Sequence, residues 1–200
     1  KSNLQTLKNQ FAAPFMTNLH QCRVCGGSLY ADQLIVFQNM PDAAQFLPSK
    51  DDLVTDKGTD LQVYQCSCCG LVQLICEPVP YYREVVRSSA FSSEMREFRL
   101  DQFATLVHDY SLESKTAIEI GCGRGEYLEL LQDCGLNAHG IEYSPESVQA
   151  CLDKKFSVSR GFINDEDYQI KNGPFDSFFI LNFLEHLPNP HLTLRGISHN

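Results

Sequence analysis

Four cysteines stand in two spaced pairs, Cys22-Arg-Val-Cys25-Gly and Cys66-Ser-Cys68-Cys69-Gly. A Cys-x-x-Cys turn followed by glycine lets two thiolates converge on one ion. Two such turns supply the four sulfurs of a tetrahedral zinc site. Cys66 with Cys69 keeps the two-residue gap, which makes Cys68 the weaker ligand. Four sulfurs close the coordination sphere, so the zinc expected on Cys22, Cys25, Cys66 and Cys69 is structural and not catalytic. The stretch from Cys25 to Cys66 is long for such a site, and an inserted loop accounts for it. Cys76 is expected to be a buried thiol and His20 a solvated side chain.

A second constellation lies at Ala117–Leu131, AIEIGCGRGEYLELL, which reads as strand, glycine-rich turn and helix. A dinucleotide turn has the spacing G-x-G-x-x-G. Here the glycines are Gly121, Gly123 and Gly125, and Glu126 stands where a pyrophosphate would sit. A carboxylate suits the positive end of a helix but repels phosphate. The turn is therefore built for a ligand without phosphates that approaches the backbone closely. Glu119, at the end of the preceding strand, can meet an ammonium directly or through water. Glu142 lies about 20 residues past the turn, where an acid hydrogen-bonds ribose hydroxyls. One amino-acid cation and one ribose describe S-adenosylmethionine.

The elements that must hold these residues alternate from Thr116 onward. TAIEI, NAHGIEY, FSVSRGF and FDSFFILNF read as strands, and GEYLELLQDCG and SPESVQACLDK as helices, the latter with Ser144 as N-cap and Pro145 in its first turn. Strands alternating with helices give a parallel α/β sheet. Such a sheet normally has six or seven strands, so the four visible here point to a portion of a longer chain. Upstream, SSEMREFRLDQFATLVHDY has the spacing of an amphipathic helix capped by Ser92 or Ser93. LIVFQNM and LQVYQC are β-like and flank a polar loop. The expected fold class is a small β-rich zinc-binding domain followed by a Rossmann-like α/β domain. The expected boundaries are an extension at 1–20, the zinc domain at 21–80, a linker and helix at 81–115, and the cofactor-binding domain at 116–200.

Bulk composition narrows the partners. The formal net charge is -9, with 16 Lys and Arg against 25 Asp and Glu. Phosphate contacts need clustered basic residues, so nucleic acid is not the expected partner. No run approaches the ~20 apolar residues of a membrane span, and no signal peptide is evident. Cysteines arranged for metal rather than for disulfides fit a cytoplasmic protein, expected to be a monomer or weak homodimer.

EIGCGRG followed by GIEYS, with FDSFFILNFLEHLPNP beyond, resembles the class I S-adenosylmethionine-dependent methyltransferases. CRVCGG, CSCCGLVQL and YYREVVRSSAFS resemble the N-terminal zinc-binding region of the sugar C-methyltransferases. The resemblance implies methyl transfer to the carbon beside the ketone of a nucleotide-diphosphate-linked deoxy-keto sugar. It implies cofactor contacts from Glu119, Gly121, Cys122, Gly123, Gly125, Glu142, Tyr143, Phe162, Ile163 and Asn182. Phe162 and Ile163 would pack adenine, or serve the core. His186 is the first catalytic candidate, as a base or as a residue that shapes the site. Glu185 is a second acid or the partner that orients it. Tyr81 and Tyr82 would reach over the substrate, or pack a linker. Ser88, Ser89, Asp165 and Asp167 are weaker candidates. His108, His139, His191 and His199 belong to no constellation and read as surface or packing residues. Two other functions stay open: O- or N-methylation of another small molecule, and a zinc-ribbon binding module joined to an inactive Rossmann-like domain.

Overall fold

A computed structural model describes residues 20–42, 48–79, 83 and 91–200. The chain divides into two compact units, one of residues up to Val85 with Pro188–His191, the other of Val86–Leu187 with Leu192–Asn200.

The first unit holds three antiparallel strands: β1 (Ile35–Met40), β2 (Thr59–Gln65) and β3 (Val72–Leu74). The register pairs Ile35 with Val63, Phe37 with Leu61 and Val63 with Leu74. Side chains alternate across a strand, so Ile35, Phe37, Leu61, Val63, Val72 and Leu74 share one face. Among the described residues of 20–79 only Cys22, Cys66 and Gln73 are buried. Strand β3 is too short to carry a period, so the sequence pattern does not reveal it.

The second unit begins with α1 (Ser93–Asp109), whose N-cap Ser92 accepts a hydrogen bond from the Met95 amide. Four strands come next, β4 (Thr116–Ile120), β5 (Asn137–Glu142), β6 (Ser157–Arg160) and β7 (Ser177–Phe179). They run parallel in the order β6-β5-β4-β7. Helices α2 (Glu126–Asp133) and α3 (Pro145–Asp153) make the crossovers, and α4 (Pro190–Ser198), absent from the sequence expectations, closes the described chain. The apolar run from Phe175 to Phe183 forms a strand only over Ser177–Phe179. Asn182 then takes the left-handed conformation, φ 51°, and Leu184–His186 wind into a 3-10 turn.

Alternation along β4 divides the core. Ala117 joins Leu128, Leu130 and Leu131 of α2 in one cluster. Ile118 and Ile120 face the other way, into a cluster with Ile141, Ile163, Phe183 and Leu187. Both faces of a parallel sheet are covered, which is why its strands read as continuous apolar runs. No helix among the described residues is long and apolar enough to cross a membrane.

Candidate functional site

The two cysteine turns fold alike. In each, the residue after the second cysteine is a glycine in the left-handed region, Gly26 at φ 71° and Gly70 at φ 78°. The Gly26 amide donates to the Cys22 carbonyl, and the Gly70 amide to the Cys66 carbonyl. Sulfurs of Cys22 and Cys69 stand 3.6 Å apart and those of Cys25 and Cys66 3.5 Å apart. All four Sγ atoms lie within 4.8 Å of one another. Four sulfurs at ~2.3 Å from a tetrahedral ion would be spaced by about 3.8 Å, so the donor set fits such an ion.

Backbone amides prepare the sulfurs for charge. The Cys69 and Cys68 amides point at the Cys66 Sγ, at 3.4 and 3.3 Å. The Cys69 amide, then that of Cys68, helps bring Cys66 down to about 6. At Cys25 the Gly27 amide favours the thiolate, but the sulfurs of Cys69 and Cys66 push its thiol up to about 12. Sulfurs that oppose each other's ionisation are what a bound cation reconciles. Gln73 seats the first turn on β3: its Oε1 accepts from the Arg23 amide at 3.0 Å and its Nε2 donates to the Gln21 carbonyl at 3.1 Å. Cys68 is exposed and outside the cluster. Cys76 is only half-buried, contrary to expectation.

The glycine turn is stitched to the end of β5. Gly121 and Cys122 amides donate to the Ile141 carbonyl at 2.8 and 3.2 Å, and the Gly123 amide to Glu142 Oε2 at 2.9 Å. Glu142 Oε1 accepts from the Tyr143 and Ser144 amides, both at 2.9 Å. One carboxylate thus joins the turns after β4 and β5. Gly121 has φ 71°, and a Cβ there would stand 3.1 Å from the Phe183 ring. Gly125 caps α2 at φ 83°, and a Cβ there would meet Phe156 at 2.6 Å. Only glycine suits both positions. Glu126 opens α2, and its buried Oε2 has no hydrogen-bond partner.

Three aromatic rings gather at the carboxyl ends of the strands. Phe162 meets Tyr143 edge-on at 5.9 Å and Phe183 at 6.1 Å. Glu119 is 1% exposed in β4. Cys122 turns into the protein, where a hydrogen bond to Cys151, burial and the Glu119 charge push its thiol up. Its thiol is therefore a core group. Ile163 is a core residue, 2% exposed, whose carbonyl accepts from the Thr193 hydroxyl. His186 lies one 3-10 turn past Phe183, its amide bonded to the Phe183 carbonyl. Glu185 Oε1 lies 3.9 Å from His186 Nε2, so this pair is brought together. Tyr81, Tyr82, Ser88 and Ser89 fall outside the described residues. Among the described residues, no side-chain hydrogen bond joins Asp165 or Asp167 to the turn, and His199 bonds the Glu166 carbonyl. Phe183 is not among the residues that sequence reasoning singles out; an aromatic just past a strand that comes after a glycine turn is the signal that marks it.

The family described as Methyltransferase domain matches residues 93–199. The chain belongs to that family. The ubiquinone biosynthesis O-methyltransferase of Hydrogenovibrio crunogenus is 32% identical over 85 residues, 40% of this chain and 35% of that protein. The tRNA U34 carboxymethyltransferase of Aliarcobacter butzleri is 28% identical over 94 residues, 44% of this chain and 31% of that one. The chain spans about a third of the length of these curated relatives. Among solved structures, the plantazolicin methyltransferase BpumL in complex with SAH aligns at TM-score 0.42 and 18% identity, over 52% of this chain and 41% of that one. Streptomyces venezuelae DesVI aligns at TM-score 0.41 and 14% identity, over 54% and 47% of the two chains.

Proposed function

We propose that the methyltransferase unit binds S-adenosylmethionine and that the protein methylates the carbon beside the ketone of a nucleotide-diphosphate-linked keto sugar. The observation that carries the cofactor reading is Glu142: its carboxylate is fixed on the Gly123 amide at 2.9 Å, beside a turn with no room for side chains at Gly121. An acid at the end of the second strand is the group that accepts hydrogen bonds from ribose hydroxyls. Glu119 would serve the amino-acid end, and Phe162, Tyr143 and Phe183 the adenine side. Glu126 opposes a pyrophosphate at the same helix end.

S-adenosylmethionine supplies an electrophilic methyl group. The chain's task is to bind the acceptor, exclude water and remove one proton. A C–H beside a ketone is acidic enough for a positioned base, and the His186 imidazole is the proposed base. Glu185 would hold the imidazole ready for that proton. The zinc proposed on Cys22, Cys25, Cys66 and Cys69 would shape the first unit and take no part in the reaction. Tyr81 and Tyr82 are proposed as further catalytic residues.

The test is to incubate the full-length protein with S-adenosylhomocysteine, deuterium oxide and a nucleotide-linked 4-keto-deoxy sugar. Deuterium entering the carbon beside the ketone, and lost in His186→Gln, is the expected result. Methylation of a hydroxyl with no such exchange would replace this reading with O-methylation, which the resemblance to the ubiquinone biosynthesis O-methyltransferase favours.

A further inference from the structure

The interior of the methyltransferase unit holds a titratable side chain that the proposed chemistry does not use. His139 lies in β5 and is 5% exposed. Its Nδ1 is 2.7 Å from Ser157 Oγ and its Nε2 2.8 Å from Ser159 Oγ. Phe175 stacks on the ring at 5.9 Å with an interplanar angle of 26°. From sequence His139 reads as a surface or packing residue; it packs in the interior and also carries two side-chain hydrogen bonds.

Strand β6 is held by its ladder with β5 and by packing of α3 beside it, and the imidazole adds a side-chain tie. It is four residues long and lies at the end of the described sheet, paired with β5 alone. Of its side chains, only Val158 packs on an apolar cluster. Its register sets Ser157 opposite His139 and Ser159 opposite Ile141. Ser157 and Ser159 project from the same face, and one imidazole spans both. A neutral imidazole has one donor and one acceptor nitrogen, and a hydroxyl can play either part, so both bonds form in either tautomer. A slip by one residue would turn both serines to the other face. A slip by two would move the strand by about 6.6 Å and leave one hydroxyl in reach at most.

Beyond β6 lies the rim of the site. The Gly161 amide donates to the Glu142 carbonyl at 2.9 Å, and Arg160 Nε to the Tyr143 carbonyl at 3.3 Å. Phe162 then meets Tyr143 and Phe183. We propose that His139 is a positioning residue for the cofactor: by spanning Ser157 and Ser159 it sets the register of β6 and so the place of Phe162 beside Glu142. This role rests on the reading of the site as one for S-adenosylmethionine.

The test compares full-length wild type with a Ser157→Ala/Ser159→Ala double variant and with His139→Ala. The readouts are S-adenosylhomocysteine affinity, KM and kcat, and hydrogen exchange at each strand. The serine variant keeps the imidazole and removes only small hydroxyls, so it opens a smaller cavity than His139→Ala and is expected to disturb the fold less. In the serine variant, affinity is expected to fall and KM for S-adenosylmethionine to rise about tenfold, the scale of two lost buried hydrogen bonds, with kcat unchanged. Faster exchange should be confined to 157–160. Affinity equal to wild type would overturn the proposal, and so would faster exchange spread over β4 and β5, which marks a general core role. A wild type that binds no S-adenosylhomocysteine would overturn the cofactor reading itself, and this proposal with it.

Discussion

The two units are held by different means. In the first, Cys22, Cys66 and Gln73 are the only buried residues among those described in 20–79, while Ile35, Phe37, Val72 and Leu74 are exposed on its sheet. In the methyltransferase unit two apolar clusters cover both faces of the parallel sheet, with Leu128, Leu130 and Leu131 fully buried. The described part of that first unit has little core, and four sulfurs within 4.8 Å offer the place for a cross-link. A perturbation aimed at one means of cohesion should therefore spare the other unit.

The largest effect is expected from removing metal. Structural zinc contributes about 10 kcal/mol or more of apparent binding free energy in small domains. Chelation, or Cys66→Ser, should abolish protection of the β1–β3 amides in hydrogen exchange and leave β4 and β5 protected. Cys68→Ser, which alters an exposed residue outside the cluster, should keep the metal by elemental analysis. Collapse of both units together would break the comparison.

Next in size is the core. Leu130→Ala removes a side chain with no exposure and should cost about 3 kcal/mol of stability. Denaturant unfolding should show that loss in the second unit, with metal content unchanged.

Glu142→Gln probes the site rather than the core. The carboxylate holds three amides, and hydrogen bonds to a charged group contribute about 2 kcal/mol. Calorimetry should record about a 30-fold fall in S-adenosylhomocysteine affinity, since every ~1.4 kcal/mol is tenfold.

The smallest effect is pH dependence. Burial holds the His139 imidazole below its ordinary value of 6.5. The unfolded chain therefore takes up that proton first as pH falls. The contribution is complete above about 6.5 and is lost as pH drops from there toward the folded value. Thermal melting of the second unit should fall over that window in wild type and less steeply in His139→Gln.

Sequence legibility divides along the same line. The cysteine pairs can be read from spacing because metal geometry dictates it. The β4–α2–β5–α3 run can be read from alternating periods, with Ser144 and Pro145 marking the start of α3. What escapes such reading depends on partners distant in sequence. Gln73 gains its role from Arg23 and Gln21, some 50 residues away. His139 gains its role from Ser157 and Ser159, and Phe183 from Gly121. The Phe175–Phe183 run reads as strand throughout, because apolar content alone does not separate a buried strand from a buried turn. Here Asn182 in the left-handed region and the turn at Leu184–His186 lie close behind the short strand.

The most direct measurement is calorimetric titration of the zinc-loaded full-length protein with S-adenosylhomocysteine, with NAD as the control. The account expects saturable one-to-one binding of S-adenosylhomocysteine and no heat of binding from NAD. Binding of NAD, or of neither ligand by a folded protein, would contradict it.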